Sequence, residues 1–385
     1  MEKILVVCSA YPSVRSPVNH VFIEDQVTVL AKQFDVMVYV PEILGWREWF
    51  SIRPRENSGS ASSAKLCRRR IPLHPRIPDP IFSTGYMKVF QKGFENILAS
   101  WGRPDIIHAH VAFPAGWSAA SVAKGQGIPV ILTEHTGPFS ALLSTPGRRR
   151  RVREALEGAS RVVAVSPALA AQMRSFYPEL SVEIIGNVIR ADYFVPQVET
   201  PGIGKTRFLT ICLLHREKGV DFLLKAAARL MAFGYRNFEL IIGGDGKIRA
   251  NLKKTAESLG LSSCCRFLGM LTRGQVREQL QAADVFILPS LAETFGVVLG
   301  EAGACGKPVI STRCGGPQYV VTPETGILVE PADVSGLADA MAGFMRGKQN
   351  FDPAVIRESV RSRFGENAFL SAITAVYREV RQATR

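Results

Sequence analysis

The chain has 385 residues, 46% of them hydrophobic, with 47 Lys and Arg against 34 Asp and Glu and a net charge of +13 at pH 7. That length suits two domains, and that apolar content excludes a disordered chain. No run approaches the ~20 apolar residues of a spanning helix, and the seven cysteines, an odd number without a CxxC pair, fit a reducing compartment and argue against a zinc site.

Met1-Glu2-Lys3 followed by apolar Ile4 to Ala10 loosely imitates an export signal. The apolar stretch is short, β-branched and followed by Tyr11-Pro12, so it reads as a first buried strand, and the expected location is the cytoplasm. Further strands are predicted at Val36–Val40, Ile106–Ala109, Val130–Thr133, Val162–Val165 and Val182–Ile185. Segments of helical period lie between several of them, at Glu24–Gln33, Ala115–Lys124 and Pro167–Phe176. Such alternation indicates a parallel sheet with helices on both faces. One stretch breaks it. From Ile43 to Phe94, the aromatics Trp46, Trp49, Phe50, Phe82, Tyr86, Phe90 and Phe94 are scattered among basic residues around a low-complexity Ser58–Ser63. It reads as an irregular loop, longer than a compact domain carries without a functional reason.

Val195 to Lys205, with two prolines and two glycines, is the predicted linker. Alternation then restarts, with strands at Phe208–Cys212, Phe238–Ile242, Cys265–Leu268, Val285–Leu288, Val309–Ser311 and Gly326–Val329. Helices fall at Val220–Phe233, Ile248–Leu259 and Gly274–Ala282, and another starts near Phe295. The prediction is an α/β protein of two doubly wound domains, which bind ligands at the carboxyl ends of their strands, with a cleft between them.

The most informative segment runs from Leu288 to Glu301. A strand ends at Pro289, a short loop carries Glu293, and Phe295-Gly296 opens a helix bearing Glu301. The first N–H groups of a helix are unpaired and carry partial positive charge, which suits a diphosphate, and Gly296 allows close approach. A glycosidase pair is the rival reading. In a continuous helix, however, eight residues rise about 12 Å, beyond the ~5–9.5 Å that glycosidase carboxylates need. Two contacts along one elongated ligand fit better, and a solvated helix residue remains the plain alternative for Glu301.

This segment resembles the E-x7-E signature of glycosyltransferase family 4, whose members have the GT-B fold of two facing Rossmann-like domains. The resemblance extends to Ile211–Ala226 with Glu217-Lys218-Gly219, to the glycine turn Leu240–Gly246, to Phe267-Leu268-Gly269, and to Gly306–Val309, Gly315-Gly316 and Gly326–Val329. It implies that Lys218 neutralises the donor diphosphate and that the backbone at Phe295, Gly296 and Val297 holds the phosphates. Glu301 would bind the ribose and Glu293 the transferred sugar, while Gly244 and Leu268 would line the nucleotide site. In the first half, Tyr11-Pro12 with Ser16–Phe22 resembles the family's first strand-to-helix loop, with His20 where glycine is usual. Ile106–His110 with Phe113–Gly116, and Leu132–Gly137, resemble its cleft segments. His135 would face the reacting sugar, His20 would contact phosphate or acceptor, and His110, Gly116, Ser166 and Asn187 would line the acceptor side; a structural histidine, or a solvent-facing one at His20, is the alternative. Leu213 stands where the family usually has an arginine, and Gln318 where it often has glutamate.

By resemblance, residues 1–195 form the acceptor domain, 196–363 the donor domain, and 364–385 a helix returning to the first. The implied function is retaining transfer of a sugar from a UDP-, GDP- or ADP-sugar to a glycan or lipid-linked acceptor, without metal or cofactor. The alternatives are a non-catalytic GT-B subunit binding a sugar or partner, and another nucleotide-sugar enzyme of that fold. The basic residues form no nucleic-acid recognition motif. Trp46 to Arg55, Arg68–Arg70 and Arg148–Arg153 suggest docking at the inner face of an anionic membrane; a solvated loop with inward aromatics is the alternative.

Overall fold

In the computed structural model, which describes residues 1–13, 20–43, 64–71, 77–197, 204–347 and 349–384, two parallel sheets organise the chain. The first contains β1 (Lys3–Cys8), β2 (Asp35–Ile43), β3 (Lys65–Ile71), β4 (Ile106–His110), β5 (Val130–Glu134), β6 (Arg161–Ala164) and β7 (Glu183–Ile184), in the order β3-β2-β1-β4-β5-β6-β7. The second contains β8 (Thr206–Ile211), β9 (Phe238–Gly243), β10 (Cys265–Gly269), β11 (Val285–Leu288), β12 (Val309–Thr312) and β13 (Gly326–Val329), in the order β10-β9-β8-β11-β12-β13. Each order reverses beside its first strand, between β1 and β4 and between β8 and β11. This is the Rossmann arrangement, whose ligand crevice lies beyond the carboxyl ends of those strands.

The central strands are continuous apolar runs because helices cover both faces. Ile4 to Val7 have no exposure, and every residue of β4 and β5 is buried. Residues 1–187 pack as one unit, joined by the chain from Phe369 on, and Val188–Ala368 pack as the other. The final helix, Glu366–Thr384, follows a separate helix, Pro353–Phe364. Among the described residues, no helix is long and apolar enough to cross a membrane.

The irregular loop expected from Ile43 to Phe94 is corrected in two places. Lys65–Ile71 pairs in parallel with β2 as a sheet-edge strand. Asp79–Trp101 is a 23-residue helix whose buried face carries Phe82, Tyr86, Phe90 and Phe94, one every fourth residue. Gly93 lies on that face because any Cβ there would run into Tyr39, whose hydroxyl donates to the carbonyls of Val89 and Phe90 at 3.2 and 3.1 Å. These aromatics are core. Trp46, Trp49, Phe50, Arg53, Arg55 and Ser58–Ser63 lie outside the described residues, as do Ser16–Asn19 and part of the predicted linker.

Several arginines of the expected basic surface are engaged within their own unit. Arg68 donates to the Pro12 carbonyl, lies 3.9 Å from the Glu42 carboxylate, and leaves 13% of its side chain exposed. Arg148 pairs with Asp79 at 3.0 Å, Arg150 with Glu154 at 3.4 Å and Arg153 with Glu157 at 4.0 Å. Arg151 is buried, with its guanidinium 5.2 Å from the Trp117 ring centroid.

Candidate functional site

In the second unit, the chemistry-bearing side chains gather where β8 and β11 end. Past β8 the chain passes Leu213 and Leu214 into one tight turn, Arg216–Lys218, closed by Gly219 at φ 63°. A Cβ at Gly219 would overlap the Pro289 carbonyl, and Leu291 N–H donates to Glu217 O at 2.7 Å. The two loops are therefore laced together. This lacing brings Lys218 Nζ onto the Glu293 carboxylate as an ion pair, and Ser290 Oγ donates to the same carboxylate at 3.1 Å. The two charged side chains are 26% and 13% exposed, half-buried enough to be held and open enough to be reached.

A third loop, after β12, locks Glu293 from the other side. Gly316 N–H donates to Glu293 O at 2.8 Å, and a Cβ on Gly316 would overlap the backbone of Thr294 and Phe295. Gln318 Oε1 accepts from Gly315 N–H at 2.9 Å, so it holds the glycine pair in place. Glu293 thus belongs to a loop and a β-bridge with Gly315, and the helix-rise comparison does not apply to it. The helix itself runs from Val297 to Ala304, after Gly296 at φ 85°, with no side-chain cap on its first N–H groups. Phe295 buries its ring against Tyr319 and Phe364, leaving its backbone at the helix start. Glu301 lies in this helix, half-buried.

The glycine-rich turn after β9 joins the same rim. A Cβ on Gly244 or Gly246 would overlap the carbonyls of Cys212 and Leu214, and Leu214 N–H donates to Asp245 O at 2.9 Å. Leu268 is half-buried in β10, next to the rim. Leu213, in the place of the family's arginine, is 48% exposed, an apolar side chain beside a cationic site. His215 and Arg216 are exposed.

In the first unit, the ends of β4 and β5 carry a row of histidines. His108 Nδ1 lies 2.7 Å from the Tyr377 hydroxyl and its Nε2 2.7 Å from Thr133 Oγ1. His110 Nδ1 lies 2.9 Å from His135 Nε2. All three are buried, and that burial drives down their basicity, to about 3 for His108 and His135 and well below the ordinary range for His110. They are neutral imidazoles at pH 7. The Asn187 side chain partly offsets the effect on His135, and its oxygen accepts from Gln26 Nε2 at 3.1 Å.

His20 stands at φ 55°, immediately before the helix Val21–Leu30. That left-handed conformation is why glycine suits this place. The solvent-facing alternative is corrected: His20 is mostly withdrawn from water, which lowers its pKa, and its ring packs at a tilt against Phe22, which packs on His135. Gly116 is glycine for packing, since a Cβ would meet Leu132 at 2.7 Å and the Val111 carbonyl at 2.9 Å. Ser166 caps the helix Pro167–Phe176, its Oγ accepting from Leu169 N–H at 3.2 Å. Sequence reasoning missed Glu134. Fully buried, its carboxylate accepts the N–H groups of Ala112 (2.8 Å), His135 (2.9 Å) and Thr136 (2.7 Å), tying the loops after β4 and β5 together. Burial nonetheless raises its pKa. An acidic residue ending a buried apolar strand was the available signal. Among the described residues, no group of three His, Cys, Asp or Glu side chains is arranged to hold a metal.

Two Rossmann-like sheets, each with polar groups gathered at its carboxyl edge, are the arrangement found in GT-B glycosyltransferases. Residues 21–193 match the model of Glycosyltransferase Family 4, and residues 197–369 that of Glycosyl transferases group 1. A putative teichuronic acid biosynthesis glycosyltransferase of Bacillus subtilis (strain 168) is 28% identical over 388 residues, 95% of this chain and 96% of the relative. Sucrose-phosphate synthase of Thermosynechococcus elongatus aligns in structure with a TM-score of 0.77 and 21% identity over 100% of each chain. Anabaena HepE in complex with UDP and glucose aligns at 0.75 with 18% identity, over 98% of this chain and 100% of that one. The chain belongs to the family 4 type of GT-B glycosyltransferases.

Proposed function

We propose that the protein is a retaining, metal-independent hexosyltransferase that moves a sugar from a UDP-, GDP- or ADP-sugar to a glycan or lipid-linked acceptor, in the biosynthesis of a cell-surface polysaccharide or glycolipid. The observation that carries this reading is the meeting of Lys218 and Glu293, 75 residues apart in sequence, beside the uncapped start of the helix Val297–Ala304. An amine and a row of unpaired N–H groups suit a diphosphate, and a carboxylate suits sugar hydroxyls. The complex of HepE with UDP and glucose supports such a ligand class, and the Bacillus relative's name supports a polysaccharide product.

On this reading, an incoming diphosphate draws Lys218 away from Glu293, and the freed carboxylate turns to the transferred sugar. Lys218 and the backbone of Phe295, Gly296 and Val297 then do the work a metal ion does elsewhere, stabilising the leaving diphosphate. Glu301 binds the ribose, with Gly244 and Leu268 along the nucleotide. The acceptor oxygen bonds to the anomeric carbon on the face from which the phosphate departs, and a phosphate oxygen takes the hydroxyl proton. His20, His110, His135, Gly116, Ser166 and Asn187 belong to the acceptor side. The paired arginines described above lend no support to contact with an anionic membrane.

Incubation with a panel of UDP-, GDP- and ADP-sugars, with glycan acceptors and EDTA present, tests the proposal. The expected product keeps the donor's anomeric configuration. An inverted product, or transfer that needs added Mg²⁺ or Mn²⁺, would overturn the mechanism.

A further inference from the structure

The helix Val297–Ala304 begins without a side-chain cap and ends on a guanidinium. Arg357 belongs to the helix Pro353–Phe364. Its Nη1 donates to the carbonyl of Ala304, the last residue of the shorter helix, and to that of Phe194 at 2.9 Å. Its Nη2 donates to the carbonyl of Ala191 at 2.9 Å. Ala191 and Phe194 are buried, in the stretch that opens the second unit at Val188. One half-buried side chain thus gathers carbonyls from two other segments of its unit. A cation at the last carbonyls of a helix also complements the partial negative charge there.

The flanks of the same helix are closely fitted by two glycines. A Cβ on Gly300 would meet Ile189 Cδ1 at 2.6 Å, and a Cβ on Gly303 would meet Val360 Cγ2 at 2.6 Å. Ile189 comes from the stretch that opens the unit, and Val360 from the helix that carries Arg357. Those two segments are themselves joined, since Ile189 N–H donates to the Phe364 carbonyl at 2.8 Å. The glycine contacts set which face the helix presents, and Arg357 anchors its far end. Lys218 stands apart from all of this, in the turn Arg216–Lys218 after β8. The helix start and the lysine are therefore placed by different parts of the fold.

We propose that Arg357 is a positioning residue for the donor site: by holding the end of the helix Val297–Ala304, it sets where the first N–H groups and Glu301 stand relative to Lys218. This inference rests on the proposed function. Eight helical residues rise about 12 Å, so a diphosphate at the helix start lies beyond the reach of Arg357, which acts on it only through the helix. A misplacement of about 1 Å can cost about a hundredfold at a site that depends on alignment. The planar fork of arginine can serve several carbonyls at once, whereas the amine of lysine is a point donor.

The test is calorimetric titration of wild type, Arg357→Met, Arg357→Lys and Leu230→Ala with UDP, GDP and ADP, in EDTA and well below each melting temperature. Methionine keeps the apolar stem and removes every donor. Leu230 is fully buried in the core of the same unit, in the helix Val220–Ala232, and its truncation is the control for lost stability. For the nucleotide that the wild type binds, Arg357→Met should weaken binding by at least about tenfold. Arg357→Lys should fall between that variant and wild type, and Leu230→Ala should keep the wild-type affinity. Because Arg357 and Glu301 act through one helix, Arg357→Met and Glu301→Ala together should weaken binding by less than the product of their separate factors. Wild-type affinity in either Arg357 variant would overturn the proposal. So would a full product in the double variant, or a loss in Leu230→Ala as large as in Arg357→Met, which would mark the effect as one of stability alone. A wild type that binds none of the three nucleotides would instead sink the proposed function, and the positioning role with it.

Discussion

Lowering the pH from 7.5 to 5 should loosen the first unit through its buried histidines. In the folded protein, His108 and His135 titrate at about 3 because burial penalises their charged forms, whereas an unhindered histidine titrates near 6.5. Below pH 6.5 the unfolded chain takes up protons that the folded chain refuses, so stability present at neutral pH is lost as the pH falls from 6.5 toward 3. At pH 5 the refusal costs about 2 kcal/mol for each of the two rings, and His110 adds to it in the same direction. Because the folded state keeps the rings neutral, their mutual repulsion does not reduce the sum. Glu134 opposes the trend: its raised pKa lets the folded state bind a proton more readily than the unfolded chain, which offsets part of that loss. Hydrogen exchange of the amides in β4 and β5, corrected for the intrinsic effect of pH on exchange, reads this unit separately. Protection there should fall markedly at pH 5, and much less in β8 and β11, whose unit carries the exposed His215. Equal or greater protection of β4 and β5 at pH 5 would refute the assignment of neutral, buried rings.

Gly316→Ala should force the Thr294–Phe295 backbone aside, costing about 1–3 kcal/mol in thermal unfolding and lowering transfer by at least about tenfold through displacement of Glu293; wild-type kinetics would show that the glycine pair does not hold the loop. Glu134→Ala removes one acceptor from three backbone N–H groups and should lower stability to urea by at least about 3 kcal/mol, and a smaller loss would mean that water takes over the carboxylate's bonds. Leu213→Arg places a guanidinium on an exposed position and should tighten nucleoside diphosphate binding by about tenfold, without a change in melting temperature; unchanged affinity would remove that position from the site.

The second unit was the more legible in sequence because its chemistry is local. Glu293, Gly296 and Glu301 fall within one strand–loop–helix passage, and the apolar strands around it announce themselves. What sequence did not show was the pairing of Lys218 with Glu293, which depends on Gly219 fitting beneath Pro289 and Gly316 beneath Thr294. In the first unit, Lys65–Ile71 escaped because an edge strand with three consecutive arginines has no apolar run. The helix Asp79–Trp101 did carry a signal, with Phe82, Tyr86, Phe90 and Phe94 at a spacing of four. The basic and low-complexity residues before it drew the whole stretch into one irregular reading. The histidine row was recognised in part, but neutral charge follows from burial, and burial is a property of the folded sheet.

On the proposed function, the carboxyl edge of the second sheet is a nucleoside diphosphate site. Calorimetric titration of wild type, Lys218→Ala and Glu301→Ala with UDP, GDP and ADP, in EDTA, tests it most directly. The wild type should bind one of the three, and each variant should bind it more weakly by roughly 1.5–3 kcal/mol, about ten- to a hundredfold in Kd, while keeping the wild-type melting temperature. Binding of none of the three, or binding by both variants as tight as by wild type, would contradict it.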